Sequence, residues 1–227
     1  MNKIIMTSML GSFIPLCFVQ VANAAAQSPA SDHVTIFQVA LKCLAAPQIG
    51  CGGEAKPILL KLERESAVRE AWLNRTGTLI AVVWKSKINA QLNAQTQQDL
   101  ESRLRAAGSD ADVRELQGEA RDQALKELQS GRDWYRGAEV GRLSEEEAGI
   151  IAARLVRRVQ AKTTVAQDKA ERLERALADA YRKCFAEERY EETLPVRQLV
   201  GDFLDKKQIA ILQQVIDNGV RPLPNEN

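Results

Sequence analysis

The sequence predicts an α+β fold in which a small mixed region precedes a mainly helical half. Residues 34–116 alternate between β-branched apolar runs, typical of strands, and apolar residues spaced three and four apart, typical of helices. From residue 118 onward the strand signal disappears and helical spacing remains. We therefore expect an α+β domain over residues 34–117, an α-helical region over residues 118–221 and a tail over residues 222–227.

Six elements are expected in the first half, in the order strand, helix, strand, strand, helix, strand. Residues 34–41 are β-branched and apolar, which favours a strand. Residues 54–65 place Ile58 and Leu62 four residues apart, as on one face of a helix. Pro57 is compatible with this helix because a first turn tolerates proline.

The remaining elements of the first half include a hairpin. Residues 68–73 and 79–84 are apolar runs that flank a loop in which Gly77 suits a backbone with positive φ. Residues 95–107 show helical spacing and are followed by a glycine, a common helix stop. Residues 110–116 are predicted to add one short strand.

The second half is predicted to be helical throughout. Ser144 and Glu147 match a capping box, so we expect a long helical stretch from residue 145 to about residue 188. Its apolar pattern weakens around residues 162–164, which leaves one kinked helix and two separate helices both open. Further helices are predicted over residues 119–129, 195–204 and 205–217.

The N-terminus has the three-part pattern of a secretory signal peptide. Lys3 precedes a largely apolar run, and Ala22 and Ala24 form a small-x-small cleavage site. We expect cleavage after Ala24, which removes residues 1–24 and leaves residues 25–33 as a flexible leader. Polar residues interrupt the apolar run and favour a processed signal over a membrane anchor. The mature protein is therefore expected in the periplasm or outside the cell, with no later stretch able to span a bilayer.

The first half also resembles a known domain. Cys43 and Cys51 lie between the first strand and the first helix, followed by the helix residues 57–62 and the segments 65–74 and 78–83. This arrangement resembles the ferredoxin-like heavy-metal-associated domain, whose motif has two residues between its cysteines, whereas seven intervene here. The resemblance implies a ferredoxin-like βαββαβ domain and places Cys43 and Cys51 in the region of the family's metal ligands.

Three interpretations compete for Cys43 and Cys51. In an oxidising compartment, two cysteines in one loop favour a structural disulfide, worth about 2.6 kcal/mol for so small a ring. As thiolates they would suit only a soft ion that accepts linear coordination, such as copper(I) or mercury(II). The third interpretation is redox activity: Cys51 precedes a helix containing Pro57, as in the thioredoxin fold, although the C-x-x-C motif is missing. Three interpretations also remain for Cys184: a buried free thiol, a disulfide with another molecule, or a third metal ligand that folds against the first half.

The composition excludes several function classes. The net charge is +1, with 31 basic and 30 acidic residues, so charge gives no reason to expect nucleic acid as a partner. His33 is the only histidine, which argues against a histidine-based triad or a multi-histidine metal site. No glycine-rich phosphate loop or zinc-protease motif is present.

Trp134, Tyr135 and Arg136 lie together between two glycines. Aromatic and arginine side chains are typical of interaction hot spots, but we favour the alternative in which this segment docks the two halves together. We therefore expect a non-enzymatic exported protein without a cofactor that binds another exported or envelope protein through its helical half. The alternative is a periplasmic soft-metal-binding or metal-resistance factor that uses Cys43 and Cys51, and a thiol oxidoreductase is third.

Overall fold

The structure is a computed structural model that describes residues 33–86, 90–106, 113–187, 195–224 and 226. The predicted signal peptide, nearly all of the leader and the predicted helix end near residue 188 lie outside these residues. Within them, the chain has an α+β fold with five strands and seven helices. The strands are β1 (Val34–Gln38), β2 (Val68–Asn74), β3 (Leu79–Trp84), β4 (Arg114–Glu115) and β5 (Trp134–Arg136). The helices are α1 (Gly52–Leu62), α2 (Ala90–Ala106), α3 (Gly118–Gln129), α4 (Gly141–Gln160), α5 (Gln167–Ala186), α6 (Val196–Val200) and α7 (Lys206–Asp217).

The strands form one antiparallel sheet in the order β4-β1-β3-β2-β5. Successive side chains of a strand point to opposite faces, and here both faces are covered. Phe37 and Val82 join a large core with the helices, whereas Ile36 and Ala81 join a second core with α3. This two-sided burial explains why β1 and β3 are nearly continuous apolar runs in the sequence.

The predicted hairpin is confirmed as β2 and β3. Leu73 pairs with Ile80, and Gly77 in the connecting loop has a φ of 69°. Such a backbone favours glycine because other residues place Cβ against the chain. The loop is further ordered by Asn74, whose Oδ1 accepts hydrogen bonds from the Thr78 and Leu79 amides at 2.9 Å.

The predicted helix start at Ser144 is wrong. Helix α4 begins at Gly141, its N-cap is Val140, and Ser144 lies inside the helix. The start shifts because the preceding turn continues into the helix: the Val140 amide donates to the Arg136 carbonyl at 2.8 Å, and Leu143 is fully buried. The weak pattern around residue 163 corresponds to a true break, since residues 161–166 separate α4 from α5.

A capping box does occur at the start of α7. The Asp205 carboxylate accepts a hydrogen bond from the Gln208 amide at 2.8 Å, while Gln208 Oε1 accepts one from the Asp205 amide at 3.1 Å. Gln208 itself is buried and also donates to the Thr164 carbonyl at 3.0 Å. This cap therefore also ties α7 to the connection between α4 and α5.

The two predicted halves share one sheet and both cores. β5 follows residue 117 and yet pairs with β2, and the large core contains residues from both sides of that position. The division into domains at residue 117 stays a prediction. Each helix in the described ranges is too short or too polar to cross a membrane.

Candidate functional site

The two cysteines lie at the ends of a short loop that closes on itself. We call residues 42–51 the cysteine loop. Lys42 and Gly50 form an antiparallel bridge, and the Cys43 amide donates to the Ile49 carbonyl at 2.9 Å. Since Cys43 and Cys51 each follow a residue of the bridge, they lie on the same face of it.

The cysteine loop packs against the turn of the β2–β3 hairpin. The Gly50 amide donates to the Arg75 carbonyl at 2.7 Å, and the Leu41 amide donates to the Gly77 carbonyl at 2.8 Å. A Cβ atom on Gly77 would lie 2.3 Å from the Leu41 carbonyl oxygen and 2.5 Å from Gly50 Cα. Two glycines therefore allow the loop and the turn to touch backbone to backbone.

Both thiols are held in the protonated form. Burial raises the pKa of Cys43 to about 12, and a hydrogen bond to the Glu147 carboxylate and its charge act in the same direction. Burial also raises the pKa of Cys51 to about 11, although the amides of Glu54 and Gly53 at the start of α1 act against it. At neutral pH neither cysteine is a ready thiolate nucleophile.

Two carboxylates complete this cluster. Burial raises the pKa of Glu147 above its usual range, the Cys43 thiol acts against that rise, and the charge of Glu54 adds to it. Burial likewise raises the pKa of Glu54. Sequence analysis missed Glu147 as a neighbour of Cys43, because it interpreted this residue as part of a helix cap. Across the described ranges, no three His, Cys, Asp or Glu side chains are placed to hold a metal ion.

Among the described residues, Cys43, Cys51 and Cys184 are free thiols. The Cys43–Cys51 disulfide stays a prediction for the oxidised, exported form. Cys184 is half-buried on α5 and lies close to Tyr181, whose pKa is raised to about 12 by burial. Cys184 packs against the large core.

The segment Trp134–Arg136 is β5, the edge strand beside β2. Trp134 is only 5% exposed and packs in the second core. The Arg136 guanidinium lies 5.8 Å from the Trp72 ring centre, and its Nε donates to Glu63 at 2.9 Å. These contacts agree with the interpretation that the segment docks onto the first half, while Tyr135 and Arg136 remain partly exposed.

A groove with a volume of about 690 Å³ lies between α1, the first turn of α4 and the last turns of α5. We call it the α1–α5 groove. Its apolar surface comes from Pro57, Leu60 and Phe185, and exposed cations lie around it. The groove is lined by Gly52, Gly53, Lys56, Pro57, Leu60, Gly141, Ser144, Glu145, Arg182, Lys183, Phe185 and Ala186. Sequence analysis missed this surface because it joins segments far apart in the chain.

Comparison of the chain with protein-family models, with curated proteins and with solved structures gives no significant match. The resemblance to the heavy-metal-associated domain therefore rests on the residues that suggest it.

Proposed function

We propose that the protein is exported, acts without catalysis, and binds another exported or envelope protein through the α1–α5 groove. The observation that carries this proposal is the groove itself, whose lining combines apolar side chains with exposed cations. The groove is lined by three basic side chains, Lys56, Arg182 and Lys183, and by one carboxylate, Glu145. The occupant is a protein segment in which an apolar side chain is flanked by Asp or Glu.

Charge complementarity supports this choice of partner. Three basic side chains around one acidic one attract an acidic segment, which speeds its encounter and selects against a basic segment. Arg182 already donates to Asp179 at 2.7 Å, so Lys56 and Lys183 are the cations best placed to meet a partner. The apolar side chains of the groove supply the burial that affinity requires, since exposed ion pairs contribute little by themselves. The balanced charge of the whole chain supports a protein partner over nucleic acid.

The state of the thiols supports a structural role for the cysteine loop. Thiols with pKa values of about 12 and 11 are protonated at neutral pH, whereas metal binding and thiol–disulfide exchange both use the thiolate. Formation of a disulfide between Cys43 and Cys51 releases two protons and two electrons, which a thiol–disulfide oxidant of the exporting compartment would accept before the loop is buried. We keep a soft metal ion such as copper or mercury as the alternative ligand of these two cysteines, and thiol oxidoreductase activity as the third.

We further propose that the first four strands with α1 and α2 form a ferredoxin-like unit to which β5 is added. The supporting observation is the chain order strand, helix, strand, strand, helix, strand, with all neighbouring strands antiparallel. Export remains part of the proposal on the strength of the N-terminal pattern. Mass spectrometry of the secreted fraction should find Ala25 as its first residue.

Site-specific photo-crosslinking in the exporting cell tests the binding surface. A photoreactive residue at position 56, in the groove lining, should yield an adduct whose partner peptide holds an apolar residue flanked by Asp or Glu. The charge reversal Lys183→Glu should remove that adduct. Lys126→Glu is the matched control, because Lys126 is equally basic and exposed but lies on α3, outside the groove.

Two outcomes would overturn the proposed surface. One is an adduct from position 56 that survives Lys183→Glu as well as it survives Lys126→Glu. The other is a partner peptide without acidic residues near its crosslinked position. Activity of the protein in thiol exchange or stoichiometric copper after purification would favour the alternatives instead.

A further inference from the structure

The C-terminal residues 219–224 and 226 are attached to α4 by arginine side chains. We call these residues the tail segment. Arg158 holds Glu226 with two parallel hydrogen bonds, Nε to Oε1 at 2.8 Å and Nη2 to Oε2 at 2.6 Å. The same guanidinium donates to the carbonyls of Gly219 at 2.7 Å and Arg221 at 2.6 Å. Such bidentate, charge-assisted pairs are among the strongest hydrogen bonds in proteins.

Arg154, one helical turn before Arg158, joins the tail segment to the cysteine loop. Its residue exposure is only 4%, and its Nη1 donates both to the Ala45 carbonyl and to the Val220 carbonyl, the latter at 2.7 Å. One nitrogen atom therefore contacts both segments. Ala45 lies two residues after Cys43, and the neighbouring Ala46 amide donates to the Cys43 sulfur at 3.2 Å.

The Nε atom of Arg154 is buried and has no hydrogen-bond partner among the described residues. It forms an ion pair with Glu226, with Nε 3.9 Å from Oε2. A buried cation with an unfilled donor is costly unless a negative charge lies nearby. Arg154 therefore depends on the tail segment for both the Glu226 charge and the Val220 carbonyl.

We propose that Arg154 and Arg158 form a carboxylate-binding site, occupied by the chain's own Glu226, and that this occupancy keeps the cysteine loop closed over Cys43. When the tail segment leaves, Arg154 loses two of its three partners and turns toward water, which releases the Ala45 carbonyl. The loop then opens and exposes a thiol that is 3% exposed in the closed form. A partner that binds the tail segment would therefore open the cysteine loop without occupying the α1–α5 groove.

Glu226 should remain bound to Arg154 and Arg158 over the ordinary pH range. The hydrogen bond from Arg158 holds the pKa of Glu226 at about 2, well below its usual value, against the opposing effect of burial. Glu226 is therefore ionised whenever the protein is folded near neutral pH. Release depends on competition for the carboxylate or for the tail segment, and not on protonation of Glu226.

Thiol labelling of the reduced full chain tests the proposal. Glu226→Gln keeps the shape of the side chain but removes its charge, so the closed loop should lose stability relative to the open one. We expect the alkylation rate of Cys43, followed peptide by peptide with mass spectrometry, to rise roughly tenfold, since a buried thiol reacts through local opening. The rate at Cys184, on α5, should stay unchanged. Asp217→Asn is the matched control, because exposed Asp217 accepts from Gln213 at 2.8 Å and, within the described residues, takes no part in the contacts of Arg154 and Arg158.

Equal labelling of Cys43 in Glu226→Gln and in wild type would overturn the proposal. A parallel rise at Cys43 and Cys184 would also overturn it, because it indicates general loosening of the fold. If Glu226→Gln fails to fold, Arg158→Lys provides the second variant, since lysine keeps the charge but lacks the bidentate geometry. In that variant hydrogen exchange should accelerate at the Cys43 and Cys51 amides, and unchanged exchange there would contradict the coupling.

Discussion

Gly77→Ala should destabilise the protein because a methyl group has no room where the hairpin turn meets the cysteine loop. The new Cβ would lie 2.3 Å from the Leu41 carbonyl oxygen, 2.5 Å from Gly50 Cα and 2.8 Å from the Leu41 carbonyl carbon. Optimal contacts between carbon atoms are about 3.5–4.0 Å, so the two segments must separate by roughly 1 Å. All three clashing atoms belong to the backbone, so no side-chain rotation can relieve the contact.

The expected magnitude has two parts. A residue other than glycine at a φ of 69° costs about 1–2 kcal/mol. Overpacking against a rigid neighbour costs a further 1–3 kcal/mol, which gives a total loss of roughly 2–5 kcal/mol. Separation of the segments also weakens the hydrogen bond from the Leu41 amide to the Gly77 carbonyl, which is 2.8 Å long.

Gly118→Ala is the matched control for this experiment. Gly118 also has a positive φ, 57°, but a Cβ atom there would meet nothing within 4 Å. Gly118→Ala should therefore lower the free energy of unfolding by only about 1–2 kcal/mol, the cost of placing alanine at a positive φ. Urea unfolding of both variants, followed by circular dichroism, gives the two free energies of unfolding. If Gly77→Ala is no less stable than Gly118→Ala, the loop and the turn are not in backbone contact and the reasoning is refuted.

Three further predictions concern the helix cap and the thiols. Asp205→Ala should lower the free energy of unfolding by about 0.5–2 kcal/mol through loss of the capping box. Ser144→Ala should change it by less than about 0.5 kcal/mol. Equal urea midpoints for the two variants would contradict the prediction that Asp205 matters more than Ser144. In the reduced protein, burial raises the pKa of Cys43 from an ordinary value of 9.0 to about 12 in the folded state, so its protonated thiol stabilises the fold below pH 9. That contribution should fade as the pH rises from 9 to 12, and Cys43→Ala should lack it in urea titrations across this range. Peptide mapping of the exported protein without reduction should find Cys43 joined to Cys51 and Cys184 free, and a linked Cys184 peptide would disprove the pairing.

Sequence analysis predicted best the elements whose signals are local. The β2–β3 hairpin was found because two apolar runs flank a turn glycine, and Gly77 does have positive φ. Helix α1 was found from apolar spacing, although it begins two residues before the predicted start. Strand β1 is confirmed over Val34–Gln38, shorter than the predicted residues 34–41.

The helix start was predicted wrongly where a capping-box pattern also fits the interior of a helix. Ser144 and Glu147 match a capping box, but Leu143 is buried and extends the helix backward past them. Glu147 then faces the Cys43 thiol, which no local pattern could indicate. The true cap at Asp205 has the same type of pattern and lies where the apolar stripe of α7 begins.

Turn chemistry and periodicity are enough to predict the strands of the hairpin and most helix positions, and the closeness of Cys43 and Cys51 along the chain is read directly from the sequence. Which faces are buried and which charges meet depends instead on how the elements pack in three dimensions. The addition of β5 to the sheet, the Glu147 carboxylate beside Cys43 and the junction of Ala45, Arg154 and Val220 all join residues distant in sequence. Such contacts arise when the helices pack on the sheet, and the free energy of that packing depends on the whole core.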